Sequence, residues 1–156
     1  MDVRVDIVPA EVTAPLRWRV LRPHLASPQE AVLPGERDPG AVHLAALDSG
    51  GEVVGTAVLL PERFERMPDR ADAWRLRGMA TEERLRGQGI GSQVVQRVIE
   101  HVAARGGGLL WCHARVPAQA FYEHAGFTAV GDRWEVPHLG PHIAMWREVS
   151  AAGPSG

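Results

Sequence analysis

Three glycines within five positions, Gly87, Gly89 and Gly91 in "RLRGQGIGSQVVQRV", stand between a strand-like run and a helix-like one. Glycine gives up more backbone freedom on folding than any other residue, so such a cluster implies a backbone path or a close approach that side chains would block. Upstream, "DAWRLRGMAT" (Asp72 to Thr81) reads as a strand, with Trp74, Leu76 and Gly78 on one face and Arg75, Arg77 and Met79 on the other. Downstream, Val94, Val95, Val98, Ile99 and Val102 recur at helical spacing between Ser92 and Arg105, and Gly106 to Gly108 supply the stop. Strand, glycine loop and helix in that order aim backbone amides and a helix dipole at one place, which is a site for an anion such as a phosphate.

The rest of the chain supplies a sheet. "VRVDIV" (Val3 to Val8) alternates as a strand, and "TAPLRWRVLRP" reads as a short helix halted before Pro23. From Pro23 to Gly40, four prolines and two glycines predict a long loop that could border a binding site. "AVHLAALDSGGEVVGTAVLLPE" is two apolar strands joined by Asp48–Gly51, a hairpin. "GLLWCHARV" is a further strand, "PAQAFYEHAGF" a helix entered through Pro117 and ended near Gly126, and "FTAVGDRWEV" and "HIAMWREV" are the last strands. The order β-α-β-β-β-α-β-α-β-β calls for an α/β (α+β) fold, a mixed sheet flanked by helices. Its 156 residues fit one domain over residues 1–150, with a disordered tail over 151–156.

A net charge of -2 gives no pull toward nucleic acid, and no apolar run reaches the roughly 20 residues of a membrane helix. With a lone cysteine, Cys112, and no secretory leader, the expected location is cytoplasmic. The phosphate loop is not a Walker A loop, because all seventeen cationic residues are arginine. It is not a dinucleotide fingerprint either: its spacing is G-x-G-x-G, and the "AARGGG" that follows carries no acid for a ribose.

Two stretches resemble the signatures of the GCN5-related N-acetyltransferases. "RGQGIG" is similar to the family's R/Q-x-x-G-x-G/A through Arg86, Gly89 and Gly91, and "AQAFYEHAGF" to its A-x-x-x-Y-x-x-x-G-F corner through Ala118, Tyr122, Gly126 and Phe127. The resemblance implies a mostly antiparallel sheet of six to seven strands, splayed between strands 4 and 5. It implies acetyl-CoA as co-substrate, with the pyrophosphate on the amides of Gly87, Gln88, Gly89, Ile90, Gly91 and Ser92 beside Arg86. The pantetheine arm would pair, like an added strand, with the backbone of Met79, Ala80 and Thr81. The activity implied is N-acetyl transfer to a primary amine of a small molecule, and the alternative is an acyl-CoA-binding sensor without turnover.

That chemistry needs a proton for the departing thiolate and a base for the amine. Tyr122, the only tyrosine, occupies the family's acid position. His142 and Glu82 are the candidate bases, the histidine for its near-neutral imidazole in a segment resembling an acceptor-facing strand. Cys112 and His113 are adjacent on a strand and point to opposite faces, which excludes a nucleophilic dyad and favours direct attack. Arg115 stands where many relatives carry Asn, so that cofactor contact is not carried over. Arg75 and Arg77 would favour an anionic acceptor if they faced a cleft. His138 and His142 are separated by Gly140 and Pro141, so no metal is expected. Any exposed face among the five tryptophans would suit a homodimer.

Overall fold

The computed structural model describes residues 1–153; the end of the expected tail, residues 154–156, lies outside the described residues. The elements are β1 (Arg4–Val8), α1 (Ala10–Leu21), β2 (Val42–Leu47), β3 (Val53–Pro61), β4 (Ala73–Thr81), α2 (Ile90–Ala104), β5 (Gly108–Arg115), α3 (Gln119–His124), β6 (Thr128–Val136) and β7 (Gly140–Val149). They follow the order read from hydrophobic periodicity. The strands form a seven-stranded sheet in the order β1-β2-β3-β4-β5-β7-β6. By contacts the chain divides into two compact units, residues 1–60 with 77–98 and residues 61–76 with those from 99 on.

In the first unit, β1 pairs antiparallel with β2, and β2 with β3. The β2–β3 turn is built by Asp48, whose Oδ1 accepts the Gly50 and Glu52 amides at 2.9 Å while Gly51 takes φ +82°. Strand β3 is buried without interruption from Val54 to Leu60, the pattern of a central strand covered on both faces. Helix α1 starts at Ala10, three residues before the expected Thr13, and runs through Pro15. The proline-rich segment after it is not wholly irregular. It contains a 3₁₀ turn at Pro28–Ala31 and buries Leu33 against Val58 and Leu60.

In the second unit, β5 pairs antiparallel with β7, and β7 with β6. The β6–β7 register slips between Val130 and Trp134, and the Arg66 guanidinium fills the space where a side chain at Gly131 would stand. Phe64 stacks on Trp111 with centroids 4.8 Å apart, inside a cluster with Ala73, Leu109 and Ala144. Each such fully buried large side chain contributes roughly 1.5–3 kcal/mol of transfer free energy. Strand β4 runs parallel to β5 for three pairs only, Ala73↔Leu109 to Arg75↔Trp111, although both strands continue beyond them.

Helix α2 keeps Val94, Val95, Val98 and Val102 buried, as its periodicity requires. It ends as the glycines predict: the Gly107 amide donates to Val102 and the Gly106 amide to Ala103, with φ +77° and +101° at those glycines. Among the described residues, no helix is long and apolar enough to cross a membrane, and no group of three or more His, Cys, Asp or Glu could hold a metal ion.

Candidate active site

The glycine loop leaves β4 through a 3₁₀ turn at Glu83–Leu85 and enters α2 at Ile90, two residues before the expected start. Gly87 and Gly89 both have φ +82°, and a Cβ on either would meet nothing within 4 Å. These glycines are therefore needed for backbone direction and not for space. The Gln93 amide donates to the Gly89 carbonyl at 3.1 Å, so Gly89 is the cap and the amides of Ile90, Gly91 and Ser92 form the unpaired first turn. No acidic residue lies in that turn to offset the positive end of the dipole. Arg86 and the residues to Gly89 are exposed.

Close approach matters elsewhere on the same helix. A Cβ on Gly55 of β3 would lie 2.9 Å from Ile90 Cγ2 and 3.4 Å from Val94 Cγ2, so the absent side chain seats the start of α2 against the sheet. Met79, Ala80 and Thr81 form the end of β4, and the Glu82 amide that follows donates to the Val54 carbonyl at 2.9 Å. The Glu82 carboxylate takes bonds of 3.1, 3.1 and 3.2 Å from Arg19 of α1.

In the second unit, Tyr122 is 7% exposed on α3, its ring edge-on to Phe121 and Phe127. Burial, reinforced by the neighbouring Cys112, holds its phenol well above the ordinary value, so it keeps its proton. Cys112 is itself buried, and burial pushes its thiol up to about 12, far from the reach of a nucleophile's pKa. His142 pairs with Arg115 of β5 and Trp134 of β6 in the ladders. Its Nδ1 lies 3.0 Å from the Gly140 carbonyl, which only accepts, so Nδ1 carries a hydrogen and, in the neutral ring, the lone pair is on Nε2.

Arg75 is engaged within the chain. It donates to Glu62 at 2.9 Å, lies 3.2 Å from His113 Nδ1 and stands over the Trp111 ring at 4.8 Å. A guanidinium only donates, so His113 accepts at Nδ1 and has the opposite tautomer to His142.

The acetyltransferase (GNAT) family model matches residues 11–127, three quarters of the chain. The chain belongs to this family. Within it, the chain is similar to the uncharacterized N-acetyltransferase YitI of Bacillus subtilis, 30% identical over 145 residues that cover 93% of this chain and 95% of that protein. Among solved structures it resembles the ribosomal-protein-S18-alanine N-acetyltransferase of Escherichia coli, at 17% identity and TM-score 0.75 over 99% of each chain. It also resembles the phosphinothricin acetyltransferase of Sinorhizobium meliloti, solved with AcCoA, at 16% identity and TM-score 0.73 over 100% of this chain and 95% of that one.

The second GNAT signature has a local physical reason in this chain. The Phe127 amide donates to the Tyr122 carbonyl and the Gly126 amide to the Glu123 carbonyl, both at 3.0 Å, with Gly126 at φ +91°. This is a Schellman helix end, in which the residues at the Tyr and Phe positions meet, here with ring centroids 5.4 Å apart. Gly126 also clears the Arg147 guanidinium, whose Nη1 donates to the Ala125 carbonyl at 2.7 Å. Sequence reasoning missed Gly55, Thr56 and the buried pair of Arg17 with Glu36. An isolated glycine in an apolar strand was the one available signal for Gly55.

Proposed function

We propose that this GNAT protein transfers an acetyl group from acetyl-CoA to a primary amine of a small molecule, by direct attack without an acyl-enzyme. The observation that carries the reading is the exposed loop from Arg86 to Gly89, whose two left-handed glycines lead into the unpaired first turn of α2 at Ile90, Gly91 and Ser92. That donor set fits a pyrophosphate, which takes several amide hydrogen bonds at once and needs no cationic side chain beyond Arg86. The AcCoA in the structure of the Sinorhizobium relative, and the coenzyme A in that of an aminoglycoside 6'-N-acetyltransferase of similar fold, support the same donor here. The backbone of Met79, Ala80 and Thr81, directly before the loop, is then the edge that takes the pantetheine arm. The family match draws residues from both compact units, which supports reading residues 1–150 as one acetyltransferase domain.

In the reaction the amine nitrogen attacks the acetyl carbon, the C–N bond forms, the C–S bond breaks and the electron pair stays on sulfur. Tyr122, at the position that resembles the family's acid, supplies the proton to that sulfur; burial keeps its phenol protonated. His142 takes the proton lost by the amine, because its lone pair is on Nε2. Glu82 is the weaker base candidate; with three bonds from Arg19 it ties α1 to the end of β4. Cys112, buried and protonated, takes no part, in agreement with direct attack.

Calorimetric titration with acetyl-CoA beside NADH and ATP, then thiol release against a panel of small amines, tests the proposal. Selective binding of acetyl-CoA with amine-dependent release is expected. Binding without release from any amine would favour the sensor reading, and no binding would remove the phosphate assignment.

A further inference from the structure

Gly78 lies inside β4 with φ +65°, a conformation strained for any side chain. The space it leaves is closed from three directions. A Cβ there would lie 3.0 Å from Arg17 Cδ, 3.1 Å from Val58 Cγ2 and 3.3 Å from Leu33 Cδ1. From β3, the fully buried Thr56 donates its hydroxyl to the Gly78 carbonyl at 2.8 Å.

Arg17 is locked where it stands. Its two terminal nitrogens donate to Glu36 at 3.1 and 2.8 Å, its Nε to Thr13 Oγ1 at 3.2 Å, and the side chains of the pair are 4% and 1% exposed. Glu36 also accepts the Leu33 amide, and its carbonyl lies 2.7 Å from His43 Nε2. Burial pushes the Glu36 carboxyl up, but the hydrogen bonds from Arg17 and the Leu33 amide outweigh it and leave the carboxyl below its ordinary value. Glu36 and Leu33 both come from the proline-rich segment after α1. That segment sets Leu33 beside one kinked residue of β4 and, through Glu36, holds the Arg17 that stands beside it too.

We propose that Arg17, Glu36 and Thr56 are positioning residues for the acetyl donor: they fix the kink at Gly78 and, through it, the backbone of Met79, Ala80 and Thr81. The proposal rests on the reading that these three residues pair with the pantetheine arm. Recognition along a strand edge uses amides and carbonyls whose hydrogen bonds weaken steeply with misalignment. The dihedral angles at Gly78 set the direction of every backbone group after it, so a hold at this residue is a hold on the whole edge. The glycine loop starts further on and is shaped by its own left-handed residues.

The test separates arm from phosphates. Thr56→Val removes the hydroxyl and keeps the shape; the probes are acetyl-CoA and adenosine 3′,5′-bisphosphate, which carries phosphates but no arm. The acetyl-CoA dissociation constant is expected to rise about three- to tenfold, the effect of one lost hydrogen bond, with the bisphosphate unchanged and Thr56→Ser restoring the original value. Glu36→Gln is expected to show the same split with a larger rise; if it fails to fold, the Thr56 pair decides alone. Equal weakening of both probes would mean general destabilisation and overturn the proposal, as would no change in either. Wild-type protein that binds neither probe overturns the acetyl-donor reading and this inference with it, whereas wild-type binding with an unaffected Thr56→Val overturns the inference alone.

Discussion

The ring of Phe127 packs edge-on against that of Tyr122 while its amide donates to the Tyr122 carbonyl at 3.0 Å. Position 122 is thus held by packing and by the helix end, and neither hold uses the phenolic oxygen. Tyr122→Phe should keep the fold and the acetyl-CoA affinity while kcat falls about ten- to a thousandfold, the range a positioned proton donor supplies. Steady-state rates beside calorimetric affinities check this, and a wild-type rate would end the acid role.

The two candidate bases are predicted to part company. His142→Gln should lower kcat by about a hundredfold or more, since it removes the lone pair at Nε2. Glu82→Gln should leave kcat within about threefold, because it removes one partner of a surface ion pair with Arg19. Rates of the two variants at saturating acetyl-CoA decide; the reverse ranking would assign the proton to Glu82.

Sequence and structure agree most where the signal is local. Alternation, helical spacing and the Asp48–Gly51 turn each report a residue's own backbone, and the full order of strands and helices followed from them. The glycine loop was legible for the same reason, since φ at Gly87 and Gly89 is a property of two residues. What escaped was set by tertiary partners. Nothing near Arg17 announces Glu36, nineteen positions on, and Gly55 matters only because Ile90 arrives against it. Arg75, which with Arg77 would favour an anionic acceptor if the two faced a cleft, reaches Glu62 and His113, thirteen and thirty-eight positions away. Long-range charge pairing has no periodicity for a sequence to display.

Acid should reveal the buried pair. The Glu36 carboxyl is lowered in the folded protein, so the stability it contributes is present above its unfolded value near 4.5 and is lost as pH falls through the lower folded value. Glu36→Gln leaves Arg17 as an uncompensated buried cation, a loss of about 3–5 kcal/mol at neutral pH. In urea titrations the gap between wild type and variant should be widest near pH 7 and narrow below about pH 4. A gap that widens in acid would contradict the assignment.

Cys112 should be silent. With its thiol buried and pushed up to about 12, the native protein at pH 8 should not react with a disulfide reagent until it is denatured. Cys112→Ala should keep kcat within about twofold, losing only packing. Rapid native labelling coupled to loss of activity would reopen a covalent route.

The slipped register in β6 has a consequence for the protein in crowded solution. Strands β1 and β6 are the two margins of the sheet, where unpaired amides and carbonyls invite a neighbouring chain to add on. One margin is five residues long and carries the Arg4–Asp6 ion pair; the other is broken at Gly131, with charged Asp132 and Arg133 exposed beside the break. The first margin is short and charged and the second is irregular, so each is a poor template for a long ladder with another copy of this chain.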